Sequence, residues 1–314
     1  MLRLLRRQRS DHGAVMCWTG AVPALLALLS SLIWGVADFA GGLASRRSTA
    51  LQTLMVTTPA GLVLILPIGI LMGGNVSGTA IPGIGAGVFG AVGILLLYAA
   101  FAAGPMGIVS PLSAVLGAAL PVLVGLIRGD RPGLPAYLGM ALAVVAIVTV
   151  GLEPHAPTDD RDHQQMNRRA FLLSLGAGMC IGMFFTLISF GPTDGGLWPV
   201  VWSRLTSTIV VIALALVMWA RSRSKSPGSG QPRFVPALNS VRGLAVLAGI
   251  LDVAANAFYV LAAQVGLLSV VAILGSLYPA ATVLLARFLL AERLRPIQKL
   301  GMVTALVAAV LLAI

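Results

Sequence analysis

The sequence predicts an all-α integral membrane protein: ten transmembrane helices arranged as two inverted five-helix repeats. Three observations predict it. Of the 314 residues, 58% are hydrophobic and only 10% are charged, with a mean hydropathy of +0.97. Soluble domains carry roughly 25% charged residues, so most of this chain must take lipid as its solvent. The apolar residues fall in ten runs, each near the ~20 residues a helix needs to cross the hydrocarbon. A polar segment then divides the runs five and five, and the two sets resemble each other.

The chain opens on a basic stretch, "MLRLLRRQRSDHGAVMCWTG". It suits the start of a signal peptide, but the apolar run after it is too long and many similar runs follow. It reads as a retained basic tail over residues 1–20, with Met16 as an alternative start. The first five runs are Ala21–Leu43, Leu51–Met72, Gly83–Ala103, Met106–Ile127 and Leu134–Leu152, a unit covering 21–152. "EPHAPTDDRDHQQMNRR" is polar, mixed in charge and without apolar periodicity, and reads as a linker over 153–169. The second unit, 170–314, holds Ala170–Phe190, Trp198–Ala220, Gly243–Ala263, Leu267–Leu290 and Ile297–Ile314. Helix is the forced choice, because each backbone polar group must be satisfied within its own segment. The alternation of a barrel strand is absent. The other separators, such as "MGGNVSG", "AGPMG", "IRGDRPG" and "GPTDGG", are short and turn-rich.

The repeat is clearest over the last two runs of each unit. "AVLGAALPVLVGLI" lies over "AILGSLYPAATVLL", pairing Gly117 with Gly275 and Pro121 with Pro279. Downstream, Asp130 and Arg131 lie over Glu292 and Arg293, with the first copy about one helical turn shorter between the two stretches. Nearer the start of each unit, "WGVADF" lies over "IGMFFT", sharing only Gly35 and Gly182. Tyr98 is the approximate mate of Tyr259. With five crossings per unit, the second copy starts on the opposite side of the membrane, so the repeats are inverted. That architecture belongs to secondary transporters, with the site near mid-membrane between the halves.

The same residues carry a family resemblance. "LGSLYPAATVLLARFLLAERLRPIQKLGMVTALVAAVLLAI" resembles the C-terminal signature of the EamA-type transporters of the drug/metabolite transporter superfamily, and "LLSSLIWGVADFAGGLASRR" is similar to that family's first helix. The resemblance implies a ten-helix carrier of small metabolites, amino acids or drugs. It does not name the solute. The first unit departs from the pattern with Asp130 in "RGDRP" and a shorter loop.

Charge and motif content narrow the chemistry. The net charge of +11 falls between apolar runs, where arginines meet anionic headgroups, and no nucleic-acid motif interrupts them. The two cysteines, Cys17 and Cys180, suggest neither a disulfide nor a redox role. His12, His155 and His163 lie in polar segments without metal-ligand spacing. "GAGVFGAVG" lacks the flanking strand and acid of a nucleotide loop, and no Gly-Lys-Ser/Thr loop is present. No cofactor or metal is expected, and no enzyme activity. A lipid-modifying enzyme would need a catalytic cluster the loops do not supply, and a scaffold or sensor would favour large soluble extensions.

Polar residues inside apolar runs mark the candidate site, since a charge at lipid depth costs about 2.5–3.5 kcal/mol on insertion scales. Asp38 shares a face with Ser31, Trp34, Gly35, Gly41 and Gly42. That face suits a close helix contact or a cavity wall. Asp252 heads a stripe with Asn256 and Tyr259, which together offer acceptor, donor and aromatic surface. Asp38 and Asp252 are the candidates for proton coupling; for each, the alternative is a static, hydrogen-bonded carboxylate. Arg204 lies about two turns into its run and either snorkels to headgroups or binds an anionic group. Trp34, Tyr98, Arg204, Asn256, Tyr259, Ser276 and Tyr278 are the substrate-binding candidates, and Gly117, Pro121, Gly275 and Pro279 the hinge or cavity candidates. Asp130 and Glu292 read as structural turn ion pairs with the adjacent arginines.

The expected function is a secondary carrier of small amphipathic solutes in the cytoplasmic membrane, exporting against proton entry by alternating access. Uncoupled facilitated diffusion is the nearest alternative. The expected partners are a small-molecule substrate, the bilayer and protons, with no nucleic acid, in a monomer or homodimer. Orientation stays open. The larger set of loop arginines, from Arg46 and Arg47 to Arg293 and Arg295, lies opposite the N-terminal set. The positive-inside rule would place that larger set in the cytosol, whereas the family resemblance implies cytosolic termini.

Overall fold

The computed structural model describes residues 12–104, 106–151, 168–225, 236–289, 300, 303–304, 307–308 and 311. The described residues are helical apart from short turns, and no strand occurs among them. The first half contributes α1 (His12–Arg47), α2 (Ala50–Met72), α3 (Ala80–Ala103), α4 (Met106–Ile127) and α5 (Leu134–Gly151). The second contributes α6 (Arg168–Ile188), α7 (Trp198–Lys225), α8 (Pro236–Val265), α9 (Leu268–Gly275) and α10 (Tyr278–Leu289). Among the described residues, six stretches are long and apolar enough to cross a membrane unaided: Ala21–Arg47, Ala50–Met72, Ala80–Ala103, Arg168–Ile188, Trp198–Ala220 and Val241–Val265.

Several boundaries differ from the sequence reading. α1 starts at His12 rather than Ala21, α7 continues to Lys225, and α8 begins at Pro236. Apolar windows end where polar residues begin, but helical hydrogen bonding does not. The run expected as one helix over Leu267–Leu290 is broken at Ser276–Leu277 into α9 and α10. Most of Ile297–Ile314 and of the 153–169 linker lies outside the described residues, as does Glu292, so a count of ten spans is not confirmed.

Local signals explain the turns. Thr49 and Gln52 form a reciprocal capping box at the start of α2, with bonds of 3.2 and 3.1 Å. The α2–α3 turn needs glycine, since Gly73 and Gly74 have φ of 70° and 123°. Asp130 makes no ion pair among the described residues. Its Oδ2 accepts bonds from the amide (3.0 Å) and hydroxyl (2.9 Å) of Ser269, capping α9 in the other half of the chain.

The packing crosses between the halves and repeats itself. α1 lies antiparallel to α8: Pro23 meets Gly266, Ser30 donates to the Ala255 carbonyl at 2.7 Å, and Ala44 meets Val241 and Ala245. Its repeat equivalent, α6 against α3, is antiparallel too, with Ile181 facing Gly93, Phe184 facing Gly90 and Leu187 facing Gly85. α2 runs parallel to α8, through Thr57 at Gly249 and Gly61 at Val253. The equivalent pair, α7 and α3, is also parallel: Gly83 faces Trp202, and Gly87 faces Ser203 and Thr206. α2 and α7 run antiparallel, Gly61 lying beside Arg204 and Gly69 beside Val201. Tracing these pairs, α6 runs opposite to α1.

The one residue shared by "WGVADF" and "IGMFFT" is where each half has no room for a methyl group. A Cβ on Gly35 would collide with Ala281 and stand 2.7 Å from the Tyr278 carbonyl. One on Gly182 would stand 3.1 Å from the Gly117 carbonyl and 3.2 Å from Leu120, the repeat mate of Tyr278. Close approach of backbones is how helices gain dispersion energy in lipid, which offers no hydrophobic drive between apolar faces. Side chains such as Leu25, Val63, Leu71, Ile81 and Leu216 stay exposed around the outside, as a lipid-facing surface requires.

Candidate functional site

The polar stripe on α8 faces the centre because Gly249 draws α2 against it; a Cβ there would collide with the Thr57 backbone. Asp252, one turn further on, then meets Arg204 from α7, with Nη2 paired to Oδ2. Arg204 is only 8% exposed, so it does not snorkel to the headgroups. The carboxylate also accepts the Trp34 indole N–H at 3.1 Å and the Asn256 amide at 3.3 Å, and the same amide donates to the Asp252 carbonyl at 2.6 Å. A buried ion pair persists where further hydrogen bonds satisfy it, and here α1, α7 and α8 each contribute one partner.

Two polar atoms of this cluster remain unpaired among the described residues: Arg204 Nε, a donor, and Asn256 Oδ1, an acceptor. Both residues line a cavity of ≈ 50 Å³ between the halves. At about 10–15 Å³ of such volume per water, it holds a few waters as it stands. Its walls mix polar groups, including Thr57, Thr58 and Ser207, with the rings of Trp34, Tyr98, Phe184 and Phe185.

Five predicted site residues, Trp34, Tyr98, Arg204, Asp252 and Asn256, thus line one cavity. Asp38 stands one turn beyond Trp34 on α1, 6% exposed, within electrostatic range of Asp252, Tyr98 and Tyr278. Among the described residues nothing donates a hydrogen bond to it and no cation pairs with it. Tyr259 and Tyr278 lie behind the cavity wall, buried, with hydroxyls unpaired among the described residues. Ser276 is buried and donates to its own chain at Ile273, 2.8 Å away. Pro279 opens the first turn of α10, where its missing N–H costs nothing. Pro121 sits inside an unbroken α4, and Gly117 packs on Ile181.

The sequence reading missed Phe184 and Phe185, which carry no polar atom to betray them. The repeat held a signal: Phe185 is the residue aligned with Asp38. The structure gives that alignment a spatial meaning. On one side of the cavity Trp34, Phe185 and Tyr259 form a triangle of rings with centroids 5.0, 4.8 and 5.6 Å apart, backed by Gly275. The equivalent positions in the other half are Ile181, Asp38 and Tyr98, with Ile181 against Gly117 and the Tyr98 hydroxyl packed on Gly41.

No curated protein matches the chain. A solved structure described as "Crystal structure of protein" shares its fold, with a TM-score of 0.61 at 16% identity over 92% of this chain and 97% of the other. The EamA-like transporter family matches residues 22–152 and 168–314, one match for each repeat. This multi-pass membrane protein belongs to the EamA-like transporter family.

Proposed function

We propose that this transporter is a proton-coupled secondary carrier of the cytoplasmic membrane that exports small amphipathic solutes. It crosses ten times as two inverted five-helix repeats, a reading supported by the opposite directions of α1 and α6 and by packing that recurs when the halves are exchanged. The observation that carries the proposal is the pair of unlike carboxylates beside one cavity. Asp252 is held by Arg204, Trp34 and Asn256, whereas Asp38 has no hydrogen-bond or ion-pair partner among the described residues. Asp252 orients the recognition groups through its contacts with Arg204, Trp34 and Asn256. Asp38 binds and releases the coupled proton, since a bare carboxylate at this depth is tolerated only when neutral or wetted.

The solute presents an acceptor to Arg204 Nε and a donor to Asn256 Oδ1, with an apolar part against Trp34 and Phe184. Purified protein in proteoliposomes, screened against amino acids, small metabolites and toxic analogues, tests the class. For a solute that is carried, Asp38→Asn lowers pH-gradient-driven flux at least tenfold while membrane abundance and solute counterflow persist. Undiminished driven flux would leave a facilitative carrier in its place.

A further inference from the structure

A second and larger cavity, ≈ 300 Å³, lies at the end of the bundle where α4, α6 and α8 finish. Arg128, Asp130, Ser189 and Gln264 line it. The Arg128 guanidinium rests on the Phe190 ring, 4.8 Å from its centroid, and Gln264 donates to the Gly196 carbonyl at 2.8 Å. This polar vestibule and the central cavity share two helices. On α6 the central cavity takes Phe184 and Phe185, and the vestibule takes Ile188 and, just past the helix end, Ser189. On α8 the division falls between Asn256 and Val260. Three or four helical residues rise about 4.5–6 Å, so the two spaces are separated by roughly one turn of protein. Tyr259 falls in that interval on α8, and its ring stacks on Phe185 at the edge of the central cavity, with Trp34 completing the triangle.

We infer that the vestibule and the central cavity are two stations on one path, and that Phe185 and Tyr259 are the gate that decides passage between them. The inference rests on the carrier reading for its purpose but not for its test. Rings suit this task. Phe185 and Tyr259 stack without any side-chain hydrogen bond among the described residues that opening would break, and they fill a water-sized gap with hydrocarbon. The back of the gate is Gly275, where a Cβ would stand 3.3 Å from the Tyr259 ring and 3.7 Å from Trp34. Gly275 ends α9 at the Ser276–Leu277 break, so a bend there moves the wall on which the rings rest. The far end of α9 stays tethered by Asp130 through Ser269.

Cysteine accessibility tests the gate without any transported solute. In a Cys17→Ser, Cys180→Ser background, Ser189→Cys reports the vestibule and Thr57→Cys the central cavity. Both are treated with a membrane-impermeant maleimide in sealed vesicles of each orientation. Ser189→Cys labels in one orientation. In that orientation Thr57→Cys is protected, and adding Phe185→Ala or Tyr259→Ala raises its labelling rate at least tenfold. Phe185→Leu, a smaller change, serves if the alanine variants are not monodisperse, and it gives an intermediate rise. An unlabelled Ser189→Cys, or a Thr57→Cys rate that none of these substitutions changes, overturns the inference. Loss of every transport activity with the labelling pattern intact would instead count against the carrier reading alone.

Discussion

Trp34, Phe185 and Tyr259 stand on one side of the central cavity; Ile181, Asp38 and Tyr98 stand in the equivalent places on the other. The first set closes by stacking rings. The second has a carboxylate where the first has Phe185. Both descend from one pattern, and both sit behind a glycine that admits them, Gly275 and Gly117. The difference teaches that pseudo-symmetry supplies two similar layers without making them respond to the same thing. An aromatic layer is indifferent to protons. A layer built around a bare acid is dry at low cost only when the acid is neutral. On the proposed proton-coupled reading, that inequality lets one layer respond to protons while the other does not.

The helices behind the two layers differ in the same sense. α4 passes through Pro121 unbroken, while its mate is interrupted before Pro279. At the break, Ser276 N–H is shared between the carbonyls of Ala272 (3.0 Å) and Ile273 (3.1 Å), and its hydroxyl takes Ile273 as well. Leu277 reaches back only three residues, to Leu274 at 3.3 Å. A serine competing for its own backbone weakens a helix, and Pro279 suits the first turn of the helix that restarts after the break. The first copy has Ala118 and Ala119 there, two strong helix formers.

The largest expected effect probes the charge pair both layers flank. Arg204→Met leaves the half-buried Asp252 without its cation and lowers stability by about 3 kcal/mol, the low end for a buried pair, read as the unfolding midpoint of the purified protein in detergent. Adding Asp252→Leu restores most of the loss. No recovery in the double variant would mean that the pair's hydrogen bonds to Trp34 and Asn256 outweigh its charge.

Asp38→Phe makes the two layers alike. It overfills a packed site, at a cost of about 1–3 kcal/mol, and it abolishes pH-gradient-driven flux, measured in proteoliposomes. Retained driven flux would erase the distinction drawn between the layers.

The smallest effect concerns the two helices. Ser276→Ala gives the second copy the residue of the first and raises stability by about 0.5 kcal/mol through helix propensity, measured by the same unfolding midpoint, while slowing turnover. A faster carrier would show that the break is not a hinge.

Much of this was legible in the residues. The apolar runs locate the spans because lipid allows no unpaired backbone, and the two halves align well enough to pair Gly35 with Gly182 and Gly117 with Gly275. Asp252, Asn256 and Trp34 announce themselves as polar or amphipathic groups at lipid depth. Phe185 and Phe184 do not, since a phenylalanine in a membrane run has no cost that asks for an explanation. Asp130 misled for the opposite reason: beside Arg131 in a turn it suggests a local ion pair, while its partner, Ser269, is 139 residues away.

By itself, then, the amino-acid sequence determined the solvent, the secondary structure, the duplication and the polar groups that must face inward. All of these follow from periodicity and transfer free energy, which act over a turn or two of chain. Only the tertiary structure decided that Arg204 takes Asp252 and leaves Asp38 without a partner among the described residues, that α9 and α10 part at Ser276, and that three rings from α1, α6 and α8 meet. Those outcomes depend on how closely particular glycines let helices from opposite halves approach, and no local pattern encodes that distance.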